Sequence, residues 1–387
     1  MRALRFQRSL PRYAAARVAG GMVPGLGARV GPLDLADIDE PGLPGPGWQR
    51  IRPRLAGICG SDLTTIDGKS SRYFEPLVSF PFVPGHEIVA DADDGRVVVE
   101  PVLGCVPRGI DPPCPFCASG RTGSCQNIAL GNLQPGLQTG YCTDTGGGWA
   151  TALVAHDSQL HRVPDDMADE AAVMVEPAAC AVHAARRPVV LEPQTVVVLG
   201  AGTVGLCTIA AARGHLRPGT LVASAKHPEQ RKLAVELGAD VVVEPGEVRR
   251  AVRRLTRSPM VGDSVGTGAD VVFDCVGSAD SIDDALAIVR PRGDVVLVGM
   301  PGRVSVDLTG LWHKEIRLAG AYAYGVEEGG ARTFDLAFEL VVDAGLGRLV
   351  SAAYPLDRYR EAIDHAANAG SRGAVKVVFD LRGERNR

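Results

Sequence analysis

No excess of either charge sign marks this chain. Its 387 residues carry 41 basic and 45 acidic side chains, for a formal net charge of −4. That balance supplies no global attraction to nucleic acid or to an anionic membrane, so neither is expected as a partner. A long apolar run is also missing: nothing reaches the roughly 20 consecutive apolar residues that a membrane-spanning helix needs. There is no internal repeat and no low-complexity tract. Acid is absent before Asp34, while arginine is frequent there. Organelle-targeting peptides share that composition. Against that reading, residues 1–6 (MRALRF) read as a short strand, and no small-residue cleavage site follows an apolar core. A mature, soluble, cytoplasmic chain is expected. Arginine gathers again at Arg249, Arg250, Arg253, Arg254 and Arg257, at a spacing suited to one solvated helix face.

What is present begins with cysteine. There are nine, an odd number, and no signal peptide precedes them, so a disulfide framework is not expected. Four crowd together at Cys105, Cys114, Cys117 and Cys125. Local crowding of thiols in a reducing compartment points to a metal.

The length favours two domains. To about residue 182, short β-like runs broken by Gly and Pro suit an irregular, mostly β domain. From residue 195 the texture changes. VVVLG, LVAS, VVVE, DVVFDCVG, DVVLVGM and EIRLAGA are continuous apolar runs. Between them lie helix-like stretches at 203–213, 228–237, 247–256 and 281–289. Such alternation predicts a six-stranded parallel sheet covered on both faces, a doubly wound α/β fold. One more helix, 331–344, and two short strands near Val350 and Val375 follow. The expected boundaries are 187–326 for the nucleotide domain, with 1–186 and 327–387 forming the other.

Gly200-Ala201-Gly202-Thr203-Val204-Gly205 fits G-x-G-x-x-G. It follows an apolar strand and opens a helix, the context that gives the pattern meaning. Gly200 permits the tight turn, Gly202 lets the backbone approach a pyrophosphate, and Gly205 allows close helix–strand packing. The anion sits on the free N–H groups at the helix start. An acid that binds the ribose 2′-hydroxyl is expected about 20 residues on. That count lands on Ala225, within Ser224-Ala225-Lys226-His227. Without the acid there is room for a 2′-phosphate, with Ser224, Lys226, His227 and Arg231 as possible partners. NADP(H) is therefore favoured over NAD(H). The alternative is that Lys226 and His227 are solvated loop residues.

Gly57-Ile58-Cys59-Gly60-Ser61-Asp62, then Gly85-His86-Glu87, then the cysteine cluster, then GAGTVG, stand in that order. Together they resemble the zinc-containing medium-chain dehydrogenase/reductase family, nearly from end to end. The resemblance implies a GroES-like catalytic domain beside the Rossmann domain. It also implies a homodimer or homotetramer acting on a small-molecule substrate. Catalytic zinc keeps about three protein ligands and an open position. The resemblance places these at Cys59, His86 and Glu176, with Glu87 also able to approach the metal. Glutamate in the third position is similar to the polyol and sugar dehydrogenase branch. Asp62 resembles the residue that holds the zinc histidine, and Ser61 the hydroxyl that passes the substrate proton outward. The relay histidine common in the family is Thr64 here, and the segment after GHE is shortened. Cys114, Cys117 and Cys125 fit three positions of the family's structural zinc lobe. The fourth ligand is either Cys105, brought back by a longer loop, or Asp111. His156, His161, His183, His313 and His365 read as surface or packing residues. Cys180, Cys207 and Cys275 read as apolar packing, and Cys142 is unassigned. The implied activity is zinc-dependent hydride transfer between a nicotinamide and an alcohol, polyol or sugar, or the matching ketone or aldehyde. Two rivals remain open: a zinc-free quinone or enoyl reductase, and a non-catalytic NADP-binding protein.

Overall fold

The six apolar runs beyond residue 195 form one parallel sheet, in the order Val241–Val243, Thr220–Ser224, Thr195–Leu199, Ala269–Asp274, Val289–Leu297, Arg317–Gly320. The central strand Thr195–Leu199 is buried at every residue. Only a strand covered on both faces can be apolar throughout. The direction in which strands are added reverses between Thr195–Leu199 and Ala269–Asp274, which is the point where such sheets bind their ligands. Helices Thr203–His215, Pro228–Glu236, Val248–Leu255 and Ala279–Ile288 connect the strands.

The computed structural model describes residues 1–190, 192–262 and 264–384. Two compact units emerge: Met1–Glu176 with Tyr324–Val341 and Gly345–Arg387, and Pro177–Ala323 with Val342–Ala344. The first unit holds a mixed sheet ordered Val350–Tyr354, Lys376–Asp380, Trp48–Gly57, Ile88–Ala92, Gly95–Val99, Leu160–Arg162. The long strand Trp48–Gly57 serves two partners. Its first half pairs with Leu153–His156, and its second half with Ile88–Ala92 and Lys376–Asp380. The register shifts between Pro53 and Leu55. Proline has no N–H to give the ladder, so the change of partner falls where pairing is already interrupted. A core of Leu4, Phe6, Ile58, Ile66, Phe82 and Trp149 lies beneath. Trp149 donates from Nε1 to Gly57 O at 3.1 Å, fixing the strand end that leads into Cys59.

The acid-free N-terminus is built into this unit. Arg2–Phe6 is a strand paired with Leu33–Asp37, and Ala3, Leu4 and Phe6 are buried. Between these strands lie two helices that the sequence reading left unassigned, Leu10–Met22 and Gly27–Val30. The miss has a physical cause. The buried face of the first helix is Ala16, Ala19 and Gly20, whereas Leu10, Val18 and Met22 are exposed. Apolar periodicity therefore pointed away from the packed side. The insertion docks on the end of the helix Gly60–Ile66. Gly25 N and Gly27 N donate to the buried Asp67 carboxylate at 3.0 and 3.1 Å, and Lys69 Nζ donates to Gly20 O at 2.7 Å. Among the described residues, no helix is long and apolar enough to cross a membrane.

Candidate metal centres and nucleotide site

The loop 105–125 has little core of its own, yet it gathers four thiols. The sulfurs of Cys105, Cys114, Cys117 and Cys125 all lie within 4.8 Å of one another, and Cys105 Sγ is 3.7 Å from Cys125 Sγ. Tetrahedral zinc with Zn–S bonds of about 2.3 Å needs sulfur separations of roughly 3.8 Å, so the cage fits the ion. Cys105 takes the fourth corner, and Asp111 is exposed. Backbone and side-chain N–H groups aim at the sulfurs: Cys114 N and Asn127 Nδ2 at Cys105, and Asn127 N at Cys125, each at 3.3 Å. Burial raises the Cys114 thiol, but N–H donors from Cys117 and Gln126 outweigh it and bring it down to about 6. Burial pushes Cys117 upward, with Cys125 adding to the rise, and pushes Cys125 up to about 11, with Cys105 adding and Cys117 opposing. Four crowded thiols cannot all ionise without a cation among them.

The second group is built on the turn into the helix Gly60–Ile66. Cys59 is its N-cap, and Asp62 reaches back to Cys59 N at 3.0 Å. The same carboxylate lies 3.6 Å from His86 Nδ1 and accepts from the Tyr141 hydroxyl at 3.3 Å. Nδ1 thus faces the acid, which leaves Nε2 as the ring atom available to a metal. Burial opposes a charge on His86, but Asp62 and Cys59 hold its protonated form well above the usual histidine range. Glu87 is paired with Lys376, and both side chains are 1% exposed. Lys376 also donates to Ile58 O at 3.3 Å. A Cβ at position 57 would come within 1.8 Å of Glu87 Oε2, so only glycine lets Glu87 lie there. Glu176, also buried, accepts from the Tyr324 hydroxyl at 2.9 Å. Burial lifts its carboxyl to about 7, with Glu87 adding to the rise and His86, Tyr324 and Lys376 opposing it. Ser61 Oγ is buried with no hydrogen-bond partner at ordinary geometry among the described residues, and Tyr141 is near. Thr64 Oγ1 is committed to Gly60 O at 2.9 Å.

The glycine motif takes the expected form. Gly200 adopts φ +88° between strand and helix, a conformation that favours glycine. Gly202 is the N-cap of Thr203–His215 and receives no side-chain cap. A Cβ there would meet no atom within 4 Å, which leaves open space above the first N–H groups. A Cβ at Gly205 would lie 1.9 Å from Gly200 O, so helix and turn are in contact. Val204 is in the first helical turn. At the end of the next strand Ser224 and Ala225 are buried and Lys226 is exposed. His227 caps the following helix. Arg231 donates to Ala225 O at 3.3 Å and to Lys226 O at 2.9 Å, and pairs with Glu244 at 3.1 Å.

Known proteins resemble this chain. Residues 45–165 match the family described as alcohol dehydrogenase GroES-like domain, and residues 203–343 the family described as zinc-binding dehydrogenase. A sorbitol dehydrogenase of Arabidopsis thaliana is 28% identical over 354 residues, spanning 87% of this chain and 89% of the relative. A candidate D-xylulose reductase of Rhizobium meliloti is 31% identical over 360 residues, spanning 91% and 96%. The chain belongs to the zinc-containing medium-chain dehydrogenase/reductase family. The crystal structure of a candidate zinc-binding dehydrogenase from Sinorhizobium meliloti 1021, bound to NADP, superposes with a TM-score of 0.70. It is 25% identical and covers 90% of this chain and 96% of its own. The chain is thus a nicotinamide-linked oxidoreductase of the alcohol and polyol dehydrogenase type.

Three residues of this dehydrogenase escaped sequence reasoning: Tyr141, Tyr324 and Lys376. Each reaches the second group from far along the chain, Tyr324 being 148 positions from Glu176. No local spacing announces such a partner. A fully buried lysine is rare enough to be informative, but burial is not readable at Lys376, which precedes an ordinary strand pattern.

Proposed function

We propose that this dehydrogenase interconverts a polyol, sugar or other secondary alcohol with the matching ketone or aldehyde, using NADP(H) in preference to NAD(H). The observation that carries the reading is that buried His86 interacts with Cys59 on one side and with buried Glu176 on the other, with a carboxylate where a thiolate would be the alternative. Cys59, His86 and Glu176 would hold the catalytic zinc, and Cys105, Cys114, Cys117 and Cys125 the structural one. Bound at these residues, zinc would supply Lewis acidity toward the substrate oxygen, and a nicotinamide would supply or accept the hydride. The chain's own groups do the rest. Asp62 sets the His86 ring. Lys376 pairs with Glu87, which would leave Glu176 to complete the zinc shell. Ser61 Oγ, without a hydrogen-bond partner among the described residues, receives the substrate hydroxyl proton. The open space at Gly202 admits the pyrophosphate.

NADP preference rests on Ala225 in place of an acid and on Lys226 and Arg231 beside it, with Glu244 as the group a 2′-phosphate must displace from Arg231. The edge strand Arg317–Gly320 ends the parallel sheet, which supports assembly into a homodimer or homotetramer. Nine cysteines with no disulfide among the described residues support a reducing, cytoplasmic setting. The test is a screen of polyols, sugars and ketones with both cofactors, read as NAD(P)H absorbance. Turnover of at least one polyol or its ketone is expected. Tight cofactor binding with no turnover of any member would leave only a non-catalytic protein.

A further inference from the structure

The segment Tyr324–Val326 touches both metal environments of the first unit. Tyr324 is 3% exposed, and its hydroxyl donates to Glu176 Oε1 at 2.9 Å. Its ring is held edge-on by Phe334, at 4.8 Å and 82°. Phe334 in turn stacks on His161 at 4.6 Å, and His161 is paired with Glu100 at 2.8 Å. The backbone of the same segment faces the cysteine lobe. Thr122 Oγ1 donates to Tyr324 O at 3.4 Å, and Val326 N donates to Gly120 O at 3.0 Å. Gly120 and Thr122 are in turn tied to metal-site cysteines. Gly120 N donates to Cys117 O and Cys125 N donates to Thr122 O, each at 3.0 Å. Gly120 has φ +78°, and a Cβ there would come within 2.5 Å of Val326, so the lobe is seated on this segment without slack.

We propose that Tyr324 is a positioning residue that couples the four-cysteine lobe to Glu176. The proposal rests on the reading of Glu176 as a catalytic-zinc ligand. A metal in the lobe fixes the backbone from Cys117 to Cys125. That backbone fixes Tyr324, and the Tyr324 hydroxyl holds Glu176 at Oε1. Partners of ligand groups set metal affinity in this way, and a coupling of two binding equilibria is reciprocal. A lobe without its metal therefore weakens the catalytic site, although the two ligand sets share no residue.

The experiment is chelator competition on the purified full-length enzyme, with cobalt(II) as a second, spectroscopic probe. Wild type, Tyr324→Phe, Cys117→Ser and the double variant are compared. Tyr324→Phe is expected to weaken the catalytic site about ten- to a hundredfold and to shift its cobalt d–d bands, while the four-cysteine site keeps its metal. Cys117→Ser is expected to weaken the catalytic site in the wild-type background and to add nothing in the Tyr324→Phe background. If Cys117→Ser does not fold, Thr122→Val supplies that arm with all four sulfurs intact. Unchanged affinity and bands in Tyr324→Phe, or additive losses in the double variant, would overturn the coupling alone. A wild type that binds a single metal ion overturns both the coupling and the two-zinc reading.

Discussion

At position 225 a methyl group stands where an NAD-selecting fold carries a carboxylate. A carboxylate there would bind the ribose hydroxyls and repel a 2′-phosphate. Without it, Lys226 follows directly in the chain and Arg231 donates to Ala225 O. A charge-assisted hydrogen bond contributes about 1.5–3 kcal/mol, or roughly ten- to a hundredfold in affinity. Lys226→Ala should therefore lower catalytic efficiency with NADP(H) by about that factor and leave NAD(H) nearly unchanged. Ala225→Asp should shift preference toward NAD(H). Steady-state kinetics with both cofactors reads both effects. Glu176 gives a different residue-scale test. Burial raises its carboxyl from 4.5 to about 7, so the folded chain holds a proton there that the unfolded chain sheds. In protein freed of the catalytic metal, that contribution favours the fold near pH 5 and is lost as pH rises through 7. His86, raised by Asp62 and Cys59 against its burial, acts in the same direction. Denaturant titrations should show stability falling between pH 5.5 and 8, and falling less in Glu176→Gln. An equal slope in the two proteins would remove Glu176 from the account. At this scale the sequence announced residues whose partners are near in the chain, such as Cys59 with Asp62 and Gly200 with Gly205. It was silent on Lys376 and Tyr324, whose meaning depends on what the fold brings to them.

Among the elements, the cysteine loop was half legible. Cys114, Cys117 and Cys125 have a tight spacing, but the stretch CVPRGIDPPC left the fourth corner open between Cys105 and Asp111. The fold places Cys105 in the cage because the longer loop doubles back, and Arg108 helps to hold it. Arg108 is fully buried and donates to the carbonyls of Leu103, Leu130 and Gly136, at 3.0, 3.0 and 2.7 Å. Cys105→Ser should reduce zinc from about two ions per chain to about one and lower stability by roughly 3 kcal/mol or more. Asp111→Asn should change neither. Metal analysis beside thermal unfolding decides between them, and full zinc in Cys105→Ser would return the fourth corner to Asp111. The Rossmann strands were legible because each is a continuous apolar run. The helix Leu10–Met22 was not, because small residues make its buried face.

For the whole molecule, doubly wound topology follows from strand–helix alternation, and strand order from right-handed crossovers. What alternation leaves open is the edge. Arg317–Gly320 presents unpaired backbone groups on its outer side among the described residues, and an exposed edge invites pairing with a second copy. Light scattering on the purified protein should give a dimer or tetramer, and a monomer at micromolar concentration would refute the assembly. The central claim is that zinc chemistry on two separate ligand sets underlies a polyol-type dehydrogenase. Zinc content measured on the same preparation as turnover tests it most directly. About two zinc ions per chain are expected, with turnover lost on chelation and restored by added zinc. A protein wholly free of zinc that turns over its substrate at the full rate would contradict the account.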